Sequence, residues 1–319
     1  MEAMEPRIYW TTRPSGAEPG RRACLIHNPK AGPLTGKSDW DRFVAPLRAR
    51  GWELAVVPTR QAGDGEVIAR QALADGAEAI LVAGGDGSMN EVLPVLVGTD
   101  VPLGILPVGT ANVLARELGI TTDLNRALAA IVEGGTRRID VGRLMRPGEP
   151  DRFFCAMTGV GFDAVSMMGE DLRLLKERLG RGAFALTAMR TSLHHRPSRL
   201  TLEVDGKRQR KLVYMMIVAN TAFYGVDFLK VTPEASVSDG VLDVAILRSR
   251  SFLEAWRDFF GIALGRVRNL PTYETLRCRR LTIRSGKPVP FQVDGDLVGT
   301  TPVTLEVVPS GLRVFAPGC

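Results

Sequence analysis

From Arg22 to about Arg138, short continuous apolar runs alternate with amphipathic stretches of helical length. The runs Ala23–His27, Glu53–Pro58, Ala77–Ala83 and Leu103–Pro107 predict strands. Asp39–Arg50, Glu66–Ala74, Ser88–Val97, Val113–Leu118 and Leu124–Glu133 predict helices. Strands that are apolar at every position need cover on both faces, and the intervening helices supply it. The expected unit is an α/β domain with a mostly parallel sheet and helices on both faces. Each strand ends in turn chemistry: Asn28-Pro29-Lys30-Ala31-Gly32, Pro58-Thr59, Gly84-Gly85-Asp86-Gly87 and Pro107-Val108-Gly109-Thr110. Ligands of open α/β sheets sit at the carboxyl ends of the strands, so these four loops are expected to converge on one crevice.

Near Ile139 the texture changes. Arg199–Val204, Lys211–Ala219, Val241–Leu247, Leu276–Ile283, Val289–Val293, Val303–Val308 and Leu312–Phe315 predict alternating strands. Asp205-Gly206, Ser285-Gly286 and Asp294-Gly295 separate several of them, the Asp-Gly pairs being strong hairpin signals. Two helices interrupt, about Gly169–Leu193 and Phe252–Leu264. This half is expected to be β-rich, antiparallel and sandwich-like. The division reads as a flexible N-terminal extension over 1–21, an α/β domain over 22–138 and a β-rich domain over 139–319, with the last strand placed to return toward the first domain.

Composition narrows the classes. At 45% hydrophobic and 24% charged residues over 319 positions, disordered and fibrous chains are excluded. No apolar run reaches the ~18–20 residues of a membrane-spanning helix. Met1–Gly20 lacks the apolar core of a secretory signal, so a soluble cytoplasmic protein is expected. The net charge of +6, from 41 basic against 35 acidic residues, suits an anionic partner but does not indicate nucleic acid. Cys24, Cys155, Cys278 and Cys319 lie far apart, which predicts buried reduced thiols rather than a zinc site or disulfides. His27, His194 and His195 leave almost nothing for a catalytic triad or a multi-histidine metal site.

The candidate chemistry is concentrated in the loops. Gly84-Gly85-Asp86-Gly87-Ser88-Met89-Asn90 follows a buried strand and opens a helix, where glycines admit close backbone approach and a helix N-terminus favours an anion. An aspartate beside phosphate needs a divalent cation between them, so Asp86 reads as a magnesium-linked or polar-network residue. Alone, the loop reads equally well as a turn with an aspartate cap. Gly104–Asn112 repeats the strand-to-helix logic, with Thr110 and Asn112 as side-chain donors, and Asn28 and Thr59 add two more loops. Four such loops at one sheet edge point to phosphate, and the absence of a Walker A sequence excludes a P-loop enzyme. Gly159–Ala164 fits GxGxxA formally, but it lies in the antiparallel half, where no dinucleotide fingerprint belongs. Asp294-Gly295-Asp296 is a hairpin tip able to bring a carboxylate to an attacking hydroxyl.

GGDGSMNEV followed by PLGILPVGTAN resembles the catalytic domain of the diacylglycerol kinase and sphingosine kinase superfamily, the bacterial soluble lipid kinases in particular. The resemblance runs from about Arg22 to Pro317, through Arg138–Gly142, Gly159–Asp163, Val218–Asn220, Phe223–Gly225, Pro233–Asp243 and Val293–Asp296. It implies an ATP- and Mg²⁺-dependent lipid kinase with its active site in the interdomain cleft. Asn28, Thr59, Gly84, Gly85, Asp86, Gly87, Ser88, Met89, Asn90, Gly109 and Thr110 match ATP-binding positions, and Asp86 matches the aspartate linked to metal and phosphate. Ser236, Asp239 and Val241 match a magnesium site supplied by one carboxylate and two main-chain oxygens. Asp296 matches the general base, where relatives commonly have Glu, and Asp294 is the second candidate. Val113 stands where relatives often have Asp.

A lipid kinase of this kind implies diacylglycerol or another lipid alcohol as acceptor, met peripherally at the inner face of the membrane. Rival readings are a kinase of ceramide or a sphingoid base, a kinase of a soluble acceptor such as NAD or a sugar phosphate, and a non-catalytic nucleotide-binding regulator. A homodimer is left open. Ser251–Arg268 combines Phe252, Leu253, Trp256, Phe259, Phe260 and Leu264 with arginines, and the expectation is that its aromatic stripe packs on the sheet. For the basic stretch Arg173–Arg199, membrane contact and a solvated face stand level. Asp140 is expected to orient a cation such as Lys176.

Overall fold

The computed structural model describes residues 8–10, 21–34, 36–133, 135–166, 195–224 and 230–318. The expected helix over Gly169–Leu193, Lys176, Gly225, most of Arg173–Arg199 and most of the N-terminal extension lie outside the described residues. The chain divides into two compact units, Met1–Asp140 with Ser310–Cys319, and Val141–Pro309.

In the first unit, β1 (Arg22–His27), β2 (Glu53–Pro58), β3 (Ala79–Gly84) and β4 (Leu103–Pro107) form a parallel sheet in the order β2-β1-β3-β4. Their helices are α1 (Lys37–Phe43), α2 (Ala45–Ala49), α3 (Asp64–Ala74), α4 (Asp86–Leu96), α5 (Val113–Glu117) and α6 (Leu124–Glu133). β3 is buried at every position, as its unbroken Ala-Ile-Leu-Val-Ala run requires. The expected single helix over Asp39–Arg50 is two, because Pro46 at the start of α2 has no amide to continue the ladder and the chain turns at Val44. The strand order reverses direction between β1 and β3, a topological switch point where a crevice opens at the carboxyl ends.

The chain leaves this unit along β5 (Thr136–Met145) and returns along β16 (Val303–Phe315). Two strands were expected over Val303–Val308 and Leu312–Phe315. They are one, with Ser310 at φ 51° between their two halves. In the second half Val314 pairs in parallel with Leu103 of β4. The Ser310 amide donates to Asp140 Oδ1 at 2.7 Å, so Asp140 fixes the returning strand.

The second unit holds β6 (Arg152–Phe154), β7 (Met157–Gly161), α7 (Phe162–Ser166), β8 (Ser198–Val204), β9 (Lys207–Val213), β10 (Met215–Ala219), β11 (Leu242–Leu247), α8 (Phe252–Ala263), β12 (Tyr273–Cys278), β13 (Arg280–Ser285), β14 (Pro290–Val293) and β15 (Asp296–Thr300). Six of its strands make an antiparallel sheet in the order β12-β11-β10-β7-β14-β15. β13 pairs antiparallel with β8 and with the first half of β16, and β8 pairs with β9. Leu200, Leu202, Leu281, Ile283 and Leu305 from this second group meet Met216, Val218, Val244, Ile246 and Phe291 from the six-stranded sheet in one core. Simple alternation fails for β10 and β11. Ile217, Ala219, Ala245 and Leu247 pack on the opposite face with Val231, Ile262 and Val267, so both faces of these strands are covered. β7 runs antiparallel to both neighbours, which is why its GxGxxA pattern makes no dinucleotide site. Cys24, Cys155 and Cys278 are buried without disulfides.

His27, the last residue of β1, is buried against Trp40 at 5.9 Å between ring centroids, and neither ring nitrogen has a hydrogen-bond partner among the described residues. Burial holds its pKa below the ordinary 6.5, so the fold favours the neutral ring. The unfolded chain therefore binds a proton the folded one refuses as pH falls through about 6.5, and stability drops on the acid side by at most about 1.4 kcal/mol per pH unit. Denaturant unfolding from about pH 7 to about pH 5 should show this acid loss in the native protein and a shallower one in His27→Phe.

Candidate active site

The four loops expected to converge do so within the first unit. The amides of Asn28, Thr59 and Val108 donate to Ala83 O, His27 O and Gly84 O at 3.1, 2.9 and 3.2 Å, carrying each chain off the sheet edge in register with its neighbour. Two contacts lock the loops together. A Cβ on Gly32 would stand 2.6 Å from Val108 Cβ, so the first loop lies directly on the fourth. A Cβ on Gly109 would stand 2.4 Å from Gly85 Cα, and one on Gly85 would stand 3.3 Å from Gly109 Cα. The third and fourth loops thus meet backbone to backbone, at a distance only glycine permits.

Around that contact the named residues take distinct places. Gly85 caps α4, and its carbonyl accepts from the Ser88 and Met89 amides at 3.0 and 3.2 Å. Gly84 needs its missing side chain because Ser88 Cβ lies 2.4 Å from where a Cβ would be. Gly87 is exposed with nothing within 4 Å of a built Cβ, so the loop offers bare backbone to open space. Met89 is buried, Asn28, Thr59 and Asn90 are half-buried, and Thr110 is exposed beside the loop contact. Asn28 Oδ1 accepts from the Lys30 amide at 2.9 Å, closing the first loop on itself.

Asp86 reaches across to the next helix, where its Oδ1 accepts from the Leu114 amide at 3.4 Å. Burial raises its pKa, and the amides of Leu114, Val113 and Asp86 itself, with Arg116, oppose that rise. Asn112 differs from its expected role. Its side chain accepts from the Gly109 amide at 3.1 Å and donates to the Gly109 carbonyl at 2.7 Å, at φ 47°, so the amide is spent shaping the loop rather than offered to a ligand. Val113 is buried in α5.

The carboxylates of the hairpin tip sit in the second unit. Asp294 (φ 44°) and Gly295 (φ 97°) form the turn joining β14 to β15, as an Asp-Gly hairpin requires. The Asp294 amide donates to Met157 O at 2.9 Å and its Oδ1 accepts from the Met157 amide at 2.7 Å. Asp294 is thereby bound to β7, whereas Asp296 is exposed at the start of β15. Beneath the turn lies a buried polar chain that motif reading missed. Tyr224 donates to Asp163 Oδ1, Gln292 Nε2 donates to Asp163 Oδ2 at 2.7 Å, and Gln292 Oε1 accepts from the Gly295 amide at 2.6 Å. Burial raises the Asp163 pKa, and it pushes Tyr224 well above its usual range. Gly159 is required here, since its Cβ would fall 1.6 Å from Asp163 Oδ2. The available signal was an amide, Gln292, set between Phe291 and Val293 in an otherwise apolar strand.

Ser236, Asp239 and Val241 share the loop before β11. Asp239 accepts from Arg277, which also lies 3.4 Å from Asp243, and the Val241 amide donates to Asp239 Oδ1 at 3.3 Å. An ion pair closes this loop, and a cation there would have to displace a guanidinium. Among the described residues, no group of three or more His, Cys, Asp or Glu side chains is placed to hold a metal. The unit also contains an apolar cavity of about 60 Å³ lined by Phe162, Tyr214, Leu247, Trp256, Phe259 and Ile262.

Nucleotide-type loops on a parallel sheet and an antiparallel unit carrying a carboxylate turn define a class, and sequence comparison identifies it. Residues 22–144 match the diacylglycerol kinase catalytic domain, and residues 156–316 match the YegS C-terminal NAD kinase beta sandwich-like domain. The chain belongs to the diacylglycerol kinase catalytic-domain family and is a phosphotransferase of the lipid-kinase class. It is 32% identical over 300 residues to a diacylglycerol kinase of Mycobacterium tuberculosis, covering 93% of this chain and 95% of that protein. It is 29% identical over 286 residues to a diacylglycerol kinase of Bacillus subtilis, covering 88% and 92%. A crystal structure of a diacylglycerol kinase from Bacillus anthracis shares the fold, with a TM-score of 0.75 at 23% identity over 93% of this chain and 98% of that one.

Two substitutions test the geometry. Gly109→Ala should destabilise the protein by about 1–3 kcal/mol in denaturant unfolding, since backbone cannot retreat as a side chain does. Gln292→Leu leaves the Gly295 amide and Asp163 short of partners and should cost about 1–3 kcal/mol as well.

Proposed function

We propose that this protein transfers the γ-phosphate of ATP, with Mg²⁺, to the hydroxyl of diacylglycerol at the inner face of the membrane. The observation that carries the reading is the backbone contact of Gly85 with Gly109. It leaves main chain, with Gly87 exposed, at the carboxyl ends of β3 and β4 beside the switch point, where a phosphate group would be received. Asn28, Thr59, Gly84 to Asn90, Gly109 and Thr110 would hold the nucleotide. Asp86, half-buried beside that cradle, supplies the oxygen chemistry a hard cation prefers. Bound Mg²⁺ would neutralise phosphate charge as the bridging bond to ADP breaks. A second cation would be held on the Asp239 loop by the Asp239 carboxylate and the main-chain oxygens of Ser236 and Val241, with Arg277 released from Asp239, and no step is assigned to it.

Asp296 is the proposed base. It accepts the proton of the lipid hydroxyl as the new P–O bond forms, and ADP leaves with the electron pair of the broken bond. Asp294 holds the turn through Met157 instead of reacting. Relatives named diacylglycerol kinase favour a lipid acceptor over NAD or a sugar phosphate. Among the described residues no helix is long and apolar enough to cross a membrane, so the proposed encounter with lipid is peripheral.

The test is transfer of radiolabelled γ-phosphate to diacylglycerol, ceramide and soluble acceptors, with and without Mg²⁺. Asp296→Asn should lower turnover on the order of 10²–10⁴-fold with ATP binding retained. Asp294→Asn keeps its Oδ1 acceptor and should remain active, while Asp86→Ala should lose nucleotide-dependent turnover. Label in a soluble acceptor alone, or undiminished turnover in Asp296→Asn, would overturn the assignment.

A further inference from the structure

Helix α8 (Phe252–Ala263) turns both Ile262 and the carboxylate of Asp258 inward. Asp258 has no exposed surface and accepts from Ser249 Oγ at 2.6 Å, Thr272 Oγ1 at 2.6 Å and Arg257 Nη2 at 2.7 Å. The start of the helix is fixed by a reciprocal cap: Ser251 Oγ accepts from the Glu254 amide at 3.3 Å, and Glu254 Oε2 accepts from the Arg250 amide at 2.8 Å. The outward side is apolar. Leu253, Phe260 and Leu264, spaced seven and four residues apart on one face, are 77%, 57% and 69% exposed. The rings of Phe252, Trp256, Phe259 and Phe260 run beside them with centroids 5.6–6.0 Å apart. The expected packing on the sheet holds for Trp256, half-buried beside Tyr214 and Leu247, and for Ile262, buried with Ile217 and Ala245. It fails for Leu253, Phe260 and Leu264, which face outward.

An outward helix face normally carries charge, and a contiguous exposed aromatic patch marks a surface that meets something apolar. The rim says what. Arg250 precedes the helix and Arg266 follows it, both exposed, while Arg257 and Arg268 are paired with Asp258 and Glu234. Of the nearby acids, Asp258 is buried, Glu254 serves the cap and Glu234 is bonded to Arg268. An aromatic centre with a basic rim matches a bilayer surface bearing anionic headgroups, where side chains enter the acyl boundary and guanidinium groups meet phosphate. A two-fold contact with a second copy would instead set like arginines against each other.

We infer that the outward face of α8 docks this protein on an anionic lipid surface. The inference deepens the lipid-kinase reading by naming the surface that meets the substrate's membrane, and binding can be measured without turnover. Sedimentation with phosphatidylcholine vesicles, with and without phosphatidylglycerol, should show binding that needs the anionic lipid and weakens with salt. Phe260→Glu with Leu264→Glu should lower the vesicle partition coefficient about tenfold or more. Arg250→Glu with Arg266→Glu should lower it on anionic vesicles, and both pairs should leave the melting temperature and phosphorylation of dispersed short-chain diacylglycerol unchanged. Undiminished vesicle binding by both double variants, absence of binding by the native chain, or a dimer that dissociates on substitution would each overturn the inference. Normal vesicle binding and its expected loss, without phosphorylation of the short-chain lipid, would uphold docking and sink the kinase assignment instead.

Discussion

Two missing side chains govern the first unit. Gly85 and Gly109 bring the loops after β3 and β4 into backbone contact, and nothing larger than hydrogen fits between them. Because those loops touch, Asp86 can reach the Leu114 amide, Asn112 can fold back on Gly109, and Gly32 can rest on Val108. The parallel strand order puts all these loops at one edge. The glycine contact then turns a set of adjacent turns into a continuous surface of main chain.

In the second unit a different constraint sorts two neighbouring carboxylates. Asp294 adopts the positive φ of the hairpin turn and gives its side chain to the Met157 amide. Asp296, one residue beyond Gly295, stays at the surface. The turn is braced from below by Gln292, whose amide joins the Gly295 main chain to the buried Asp163 and Tyr224 pair. The carboxylate proposed as base is thus carried on a mount whose own hydrogen bonds are buried away from water.

Much of this was legible in residue order. Unbroken apolar runs gave the parallel sheet, Gly-rich segments marked the loops, and Asp294-Gly295 marked the hairpin. What stayed hidden depends on which side of an element meets the protein. Periodicity finds the apolar stripe of α8, yet only its contacts show that Ile262 turns inward with Asp258 while Leu253, Phe260 and Leu264 turn outward. Likewise β10 and β11 read as one-faced strands, although a second apolar layer with Ile262 and Val267 covers their other face. Gln292 carried no motif because its partners, Asp163 and Gly295, are set by register between β14 and β7 rather than by spacing along the chain.

The returning strand has a consequence for how the protein is made. Val314 of β16 pairs with Leu103 of β4, so the first unit takes one of its strands from a segment far along the chain. While the ribosome is still translating the middle of the message, the first 140 residues have emerged with the β4 side of their sheet unpaired. An open parallel edge of that kind is a template for stray strands, and its closure waits for the second half of β16. Removing the second half of β16 would therefore keep the loops but leave β4 without the strand that pairs with it.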